Sequence, residues 1–198
     1  MLSKQLRPAI VLTLLLCVVT GALYPGAVTA LAQLLFPRQA NGSLVTVNGR
    51  VVGSALIGQP FTRPEYFHPR PSAAGNGYDA TASGGTNKGP TDRKLADTLI
   101  AGAVADAMKN DGAVKGSIPA DMVTSSASGL DPDISPANAF QQVARVARAR
   151  QVDSARIRTL VEQHVAGRQF GFFGEPRMNV LLLNIALDSV APAARRNP

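Results

Sequence analysis

The chain has 198 residues, of which 45% are hydrophobic, and a formal charge of +7 at pH 7. This apolar content excludes an intrinsically disordered chain and is sufficient for a domain with a core. With no Trp, 3 Tyr and 7 Phe, the chain lacks the aromatic surface on which nucleic-acid bases stack, so no nucleic acid is expected as a partner. The single cysteine, Cys17, excludes a disulfide within the chain.

An uncharged stretch of 30 residues, from Pro8 to Pro37, lies near the start of the chain. Because a helix of about 20 apolar residues crosses a bilayer core, this stretch predicts one transmembrane helix at about residues 9–35. Residues 1–38 are then a membrane anchor, and residues 39–198 are a soluble domain. The modest positive charge of that domain suits membrane lipids or an acidic partner protein.

The same stretch also fits a secretory signal peptide. Lys4 and Arg7 form a basic start, and small residues near Ala30 offer a cleavage site. The apolar run continues to Phe36, which favours an uncleaved anchor, but both interpretations stay open. For an anchor, the charges at the start favour a cytoplasmic N-terminus and an extracytoplasmic domain.

Gly21 and Pro25 interrupt the apolar stretch. Such residues predict a kink in the helix or a close contact with another membrane helix. The alternative is an irregularity that faces lipid.

The soluble part begins with a predicted β-hairpin from Leu44 to Val52, because Asn48-Gly49 supplies the positive φ angles of a type I′ turn. The residues up to Gln59 are compatible with a longer second strand. Residues 60–90 are rich in proline and glycine and predict a long irregular loop. The aromatic residues of this loop predict ordered packing.

The remaining elements follow from capping residues and apolar spacing. Ile118–Thr124 is predicted as a short strand. Helices are predicted from Thr91 to about Asn110, from Ser135-Pro136 to about Arg150, after Asp153, and from Asn179 to Leu187, with a strand as the alternative for the last. The predicted fold class is α/β (α+β), with a single N-terminal transmembrane helix and one mixed α/β domain.

A glycine-rich loop is the most specific motif for ligand binding. An anion can be bound by the backbone N–H groups of this loop, by Lys88 and by the start of the following helix. The spacing of the glycines and the lysine is not that of a P-loop. The alternative is a turn whose hydroxyls cap the helix. The candidate phosphate-binding residues are Ser83, Gly84, Gly85, Thr86, Asn87 and Gly89.

A second cluster, Tyr66-Phe67-His68-Pro69-Arg70-Pro71, combines aromatic and arginine side chains on a backbone stiffened by proline. This composition is typical of protein interfaces. The alternative is a loop that packs on its own domain.

The other polar groups give no strong signal for catalysis or metal binding. His68 and His164 are the only histidines and have no partner at a zinc-ligand spacing, and no G-x-S-x-G sequence is present. Asp131 and Asp133 fit a turn before a capped helix better than an EF-hand. We therefore assign no catalytic residue and no metal site. A solvated face, or contact with lipid or an acidic partner, is expected for Arg145, Arg148, Arg150, Arg156 and Arg158.

Seven short motifs, in order along nearly the whole chain, resemble the C subunit of the Kdp potassium-transporting ATPase, a bacterial P-type pump. The chain departs from the family pattern at Thr86, where serine is expected, and at Lys88, where an apolar residue is expected. The motifs are Tyr24-Pro25; Gly53-Ser54 with Leu56-Ile57-Gly58-Gln59; Tyr66 to Ala73; Gly77-Tyr78-Asp79; Ser83 to Thr86 with Asn87, Gly89 and Pro90; Ser128 to Pro132 with Ile134 to Ala137; and Gly174 to Arg177 with Asn179-Val180-Leu181.

The resemblance implies a non-catalytic accessory subunit of a high-affinity, ATP-driven potassium uptake complex in the bacterial inner membrane. Its partners would be the potassium-channel-like subunit and the P-type catalytic subunit. The candidate partner interface comprises Gly21, Tyr24 and Pro25 in the anchor and Tyr66, Phe67, His68 and Arg70 in the loop. The alternative is a membrane-anchored envelope binding module unrelated to ion transport.

The family is also described as raising the ATP affinity of the catalytic subunit, with the glycine-rich loop as the place of contact. The resemblance therefore implies that the nucleotide-related residues are Ser83, Gly84, Gly85, Thr86, Asn87 and Gly89. An extracytoplasmic domain has no access to cytoplasmic ATP, so the topology and this description disagree. We expect no firmly bound cofactor, and ATP only in a complex with the catalytic subunit.

Overall fold

The computed structural model describes residues 2–192 of the chain. These residues form two compact units that divide between Val52 and Gly53. The architecture is an N-terminal apolar helix followed by a mixed domain of helices and small sheets, which confirms the predicted fold class.

The first unit begins with helix α1 (Leu2–Val18), a π-helical turn (Val19–Leu23) and helix α2 (Tyr24–Leu35). Together they hold the one helix within residues 2–192 that is long and apolar enough to cross a membrane, Lys4–Leu35, with a mean hydropathy of 2.1. In the most apolar 18 residues of this helix, no residue is buried inside the protein.

The π-helical turn has a cause in the sequence. Pro25 has no N–H group, and its ring would clash with the carbonyl group of Gly21 in a regular helix. The chain widens before the proline instead, and the Tyr24 N–H donates to the carbonyl oxygen of Val19, five residues earlier. The segment that holds Gly21 and precedes Pro25 is therefore a π-helical turn, and the kink or helix contact stays a prediction.

A short helix, α3 (Pro37–Ala40), leads to the hairpin of strands β1 (Leu44–Val47) and β2 (Arg50–Ser54). Asn48 and Gly49 have φ angles of 50° and 76°, which confirms the predicted turn. The extension of the second strand to Gln59 is wrong, because β2 ends at Ser54 and a turn follows.

The second unit has no helix or strand between Ser54 and Arg93, so the predicted irregular loop is confirmed. Its elements in chain order are a π-helix (Lys94–Ile100), α4 (Ala101–Asp111), α5 (Ala120–Val123), β3 (Asp133–Ile134), α6 (Pro136–Arg150), α7 (Ser154–Gln163), β4 (Met178–Asn179) and α8 (Val180–Val190). Strands β3 and β4 pair antiparallel, with Asp133 opposite Asn179 and Ile134 opposite Met178.

Three helix starts follow the predicted caps. Ser135 accepts a hydrogen bond from the N–H of Asn138, Asp153 from that of Ala155, and Asn179 from that of Leu182. These helices pack around a core that buries Phe67, Val146, Ile157, Val161, Met178, Leu183 and Leu187 completely.

Two element predictions are corrected. Asp92, not Thr91, caps the first helix of this unit, because its carboxylate accepts from the N–H of Leu95 at 2.9 Å. Ile118–Thr124 is not a strand: Pro119 precedes the single turn of α5, and Asp121 in that turn accepts hydrogen bonds from the N–H and hydroxyl of Ser135 at 2.7 and 2.9 Å.

Candidate functional site

The aromatic and arginine cluster, residues 66–71, crosses helices α6 and α8. Phe67 is fully buried in the core, whereas Tyr66, His68 and Arg70 are half-buried. The cluster therefore packs on its own domain, as the alternative interpretation predicted, and leaves part of each of those three residues on the surface.

Two amide side chains hold the backbone of this cluster as a neighbouring strand would. Asn184 of α8 accepts from the Phe67 N–H at 2.8 Å and donates to the Phe67 carbonyl at 3.0 Å. Gln142 of α6 accepts from the His68 N–H at 2.7 Å and donates to the His68 carbonyl at 3.0 Å. Both amides are buried, so these bonds are shielded from water.

Arg145 lies beneath the same segment. Its Nη1 donates to the carbonyl oxygens of Pro64 and Tyr66 at 2.6 and 2.8 Å, and its Nη2 donates to Gln142 Oε1 at 2.6 Å. Its Nε lies 2.7 Å from Asp111 Oδ1, and the two side chains are 5% and 6% exposed. One buried guanidinium thus joins α4, α6 and the irregular loop.

Arg150, at the end of α6, fixes the loop on its other side. Its Nε donates to the Glu65 carbonyl at 2.7 Å, and its Nη2 lies 2.7 Å from Asp188 Oδ1. The guanidinium also lies 4.9 Å from the centre of the Tyr66 ring, a cation–π distance. Tyr66 donates its hydroxyl to Asp188 Oδ2 at 3.2 Å.

Arg70 connects the cluster to the polar loop at residues 125–132. Its Nη1 lies 3.0 Å from Asp131 Oδ2, and its Nη2 donates to the Ser125 carbonyl at 3.3 Å. The hydroxyl of Tyr78 donates to the Arg70 carbonyl, and burial raises the pKa of Tyr78 above its ordinary value. This tyrosine is therefore a structural hydrogen-bond donor.

A cavity of about 370 Å³ opens beside these residues. Its lining includes Phe61, His68, Arg70, Tyr78, Asp106 and Gln142. Burial and the nearby positive charge of Arg145 lower the pKa of His68, whose Nε2 lies 2.9 Å from the Arg63 carbonyl oxygen. The cavity wall therefore favours a neutral imidazole.

The glycine-rich loop lies against the loop at residues 125–129. The Gly84 N–H and the Ser83 hydroxyl both donate to the Ser128 carbonyl at 2.9 Å. A Cβ atom on Gly85 would lie 3.1 Å from the carbonyl oxygen of Ala127, and one on Gly129 only 2.6 Å from that of Gly84. Glycine is required at position 129 because the backbones approach closely, whereas a side chain at position 85 would need the Ala127 carbonyl to shift by a few tenths of an ångström.

The remaining groups of the predicted anion site are also engaged or exposed. Lys88 Nζ lies 2.9 Å from Asp92 Oδ2, so a carboxylate already occupies the start of the helix and neutralises the lysine. Asn87 is exposed with a φ angle of 52°, Thr86 is half-buried and Gly89 is exposed.

The other predicted interface residues lie in the first unit. Gly21 is in the π-helical turn, and Tyr24 and Pro25 begin α2. Tyr24 is 68% exposed on the apolar helix. A large aromatic side chain at this place is available to lipid or to another membrane helix.

Most residues that position the loop were not predicted from the sequence. The arginine run was expected to be a solvated face, but Arg145 and Arg150 are only 4% and 7% exposed, whereas Arg148, Arg156 and Arg158 are exposed. One signal was available: Gln142 and Arg145 fall on the same helical face as apolar Val146. Within residues 2–192, no group of three or more His, Cys, Asp or Glu side chains is placed to hold a metal ion.

One apolar helix followed by a folded domain is the organisation of a single-pass membrane protein. The family described as KdpC, K+-transporting ATPase, c chain, matches residues 6–189. The chain therefore belongs to the KdpC family. Membership in this family argues against the alternative hypothesis, an envelope binding module unrelated to ion transport.

Similar proteins cover nearly the whole chain, and each is named potassium-transporting ATPase KdpC subunit. The protein of Gemmatimonas aurantiaca is 63% identical over 96% of this chain and 95% of its own length. That of Rhodospirillum rubrum is 54% identical over 96% and 98%. That of Koribacter versatilis is 51% identical over 96% and 97%.

Replacement of Arg145 by methionine is expected to lower the free energy of unfolding by about 3–5 kcal/mol, because Asp111 is left buried without its partner. Urea unfolding of the full chain in mild detergent measures the loss. Arg148→Met is the matched control, since Arg148 is exposed one turn away and should cost less than about 0.5 kcal/mol. Equal losses in the two variants would contradict the role of Arg145.

His68 predicts a pH dependence of stability. Its pKa is lower in the folded chain than the ordinary 6.5, so the unfolded state binds its proton more readily. Stability is full above pH 6.5 and falls as the pH drops through the folded-state pKa. Between about pH 7.5 and about pH 5.5, His68→Gln should reduce the fall in Tm. A His68→Gln profile that equals the wild-type profile would refute the assignment.

Proposed function

We propose that this protein is a non-catalytic accessory subunit that assembles with the potassium-channel-like and P-type catalytic subunits of a potassium-transporting ATPase. In this proposal the helix Lys4–Leu35 lies in the bacterial inner membrane with its N-terminus in the cytoplasm. The domain lies outside, where it stabilises the channel-like subunit or shapes the access of ions to it.

The observation that carries the proposal is that buried polar side chains bind the backbone of the irregular loop. Gln142, Arg145 and Asn184 bind backbone groups of residues 64–68, so they hold a surface in one shape and present no free reactive group. A preformed surface lowers the entropy cost of binding a partner. The proposed contacts on this surface are half-buried Tyr66 and two half-buried residues that line the cavity, His68 and Arg70.

The contacts of the glycine-rich loop favour a structural role for this loop over direct binding of a nucleotide. Its Ser83 hydroxyl and Gly84 N–H already share the Ser128 carbonyl, and Lys88 pairs with Asp92. An incoming phosphate would have to displace these contacts and would meet the Asp92 carboxylate. We therefore propose that any effect of this subunit on ATP affinity is transmitted through assembly.

Purification of the complex through a tag on this chain tests the assembly proposal. Both partner subunits should co-purify, and Ser83→Ala should change the KM for ATP of potassium-stimulated turnover by less than about twofold. Gly129→Val is the contrasting variant, because its side chain would collide with the Gly84 carbonyl; it should reduce the yield of complex. Recovery of the tagged chain alone would refute assembly. A large rise in the KM for ATP of the intact complex with Ser83→Ala would support direct contact between ATP and the glycine-rich loop.

The proposed topology has a separate test at Asn87, which is exposed. In a Cys17→Ser background, Asn87→Cys provides a single thiol for a membrane-impermeant maleimide in intact cells. Labelling before lysis is expected. Labelling only after permeabilisation would place the domain in the cytoplasm and reopen the ATP question.

A further inference from the structure

An exposed aromatic turn lies at the end of a small hairpin between α7 and β4. We call residues 170–173 the Phe tip, because Phe170, Phe172 and Phe173 are 79%, 64% and 58% exposed. The rings of Phe172 and Phe173 contact each other with centroids 4.2 Å apart, and neither residue belongs to the core cluster. Three large apolar side chains on one turn form a patch of the kind that marks an interaction site.

The backbone presents these rings in a fixed arrangement. Gln169 and Phe173 exchange two hydrogen bonds of 2.9 Å, and Ala166 and Arg177 exchange bonds of 2.8 and 3.0 Å further down the hairpin. Phe170 has a φ angle of 53°, which a bulky side chain rarely adopts. The turn therefore holds phenylalanines outward at a conformational cost that glycine would avoid.

The ordered backbone also makes the tip compatible with an apolar medium. A peptide group without a hydrogen-bond partner is costly to bury in lipid. In the Phe tip, the N–H groups of Gly171, Phe172 and Phe173 donate to the carbonyls of Arg168 and Gln169 at 2.9–3.3 Å. The tip can enter a bilayer interface without exposing these three donors.

The charges at the base of the tip fit a phospholipid surface. Arg168 and Arg177 lie on the two arms of the hairpin, and each is about half exposed. Arg168 pairs with Glu175 at 2.7 Å and Arg177 with Asp133 at 3.1 Å, so the charges at the base of the tip are balanced. Attraction to anionic headgroups comes from the net charge of the chain, which is +7. Exposed aromatic side chains together with arginine side chains are typical of segments that lie at a membrane interface.

We propose that the Phe tip inserts into the surface of an anionic phospholipid bilayer, the membrane that holds the apolar helix Lys4–Leu35. The helix keeps the domain beside a bilayer, so the tip meets lipid at high effective concentration. The tip is thus a second, reversible membrane contact that orients the domain. This inference rests on the anchor and does not depend on the partner subunits.

The absence of tryptophan from the chain allows a direct test. Phe172→Trp places the only tryptophan at the tip of the full-length chain, which is reconstituted without partners in equimolar phosphatidylethanolamine and phosphatidylglycerol nanodiscs. The emission should shift to shorter wavelength, and lipids brominated in their acyl chains should quench it by about half. Val114→Trp, on another loop and 69% exposed at that position, is the reference for a tryptophan outside the tip, and its emission should be less shifted and less quenched than that of Phe172→Trp.

A second variant separates lipid insertion from misfolding. Phe170→Trp should be quenched by the brominated lipids, and Phe172→Ser with Phe173→Ser in that background should abolish the quenching without change in the circular dichroism spectrum. Emission of Phe172→Trp that is neither shifted to shorter wavelength nor quenched by the brominated lipids would overturn the proposal. So would a shift that appears only with the partner subunits and resists brominated lipid, because it would assign the tip to a protein contact.

Discussion

The burial of one guanidinium group determines the path of the longest irregular segment in the domain. A buried charge is tolerated only when it is paired and hydrogen-bonded. Arg145 meets this requirement through Asp111, through Gln142 and through two carbonyl groups of the loop. Since those carbonyls must stay within reach of Arg145, residues 64–66 have little freedom to move.

The rest of the candidate surface follows from that constraint. Once residues 64–66 are fixed, Phe67 enters the core, and Asn184 and Gln142 bind the next two peptide groups. Arg70 then pairs with Asp131 of the polar loop at residues 125–132. The glycine-rich loop also lies against this polar loop. A segment without regular secondary structure thereby gains a defined shape, which is the property that a docking surface requires.

Residues with a local effect on the backbone were predictable from the sequence. Asn48-Gly49 makes the hairpin turn, and Ser135, Asp153 and Asn179 cap their helices, because each acts on atoms within three residues. The site depends instead on partners far apart in the chain, such as Asn184 and Phe67, which are 117 residues apart. A single sequence shows that five arginines are close together, but not which two face inward.

Hydrogen–deuterium exchange of the full wild-type chain tests the central claim, that residues 64–68 are held by buried polar side chains. The amide hydrogens of Phe67 and His68 should exchange as slowly as those in the middle of α6, although no helix or strand contains them. Exchange of these two amides at the rate of an exposed loop such as residues 114–117 would contradict the account.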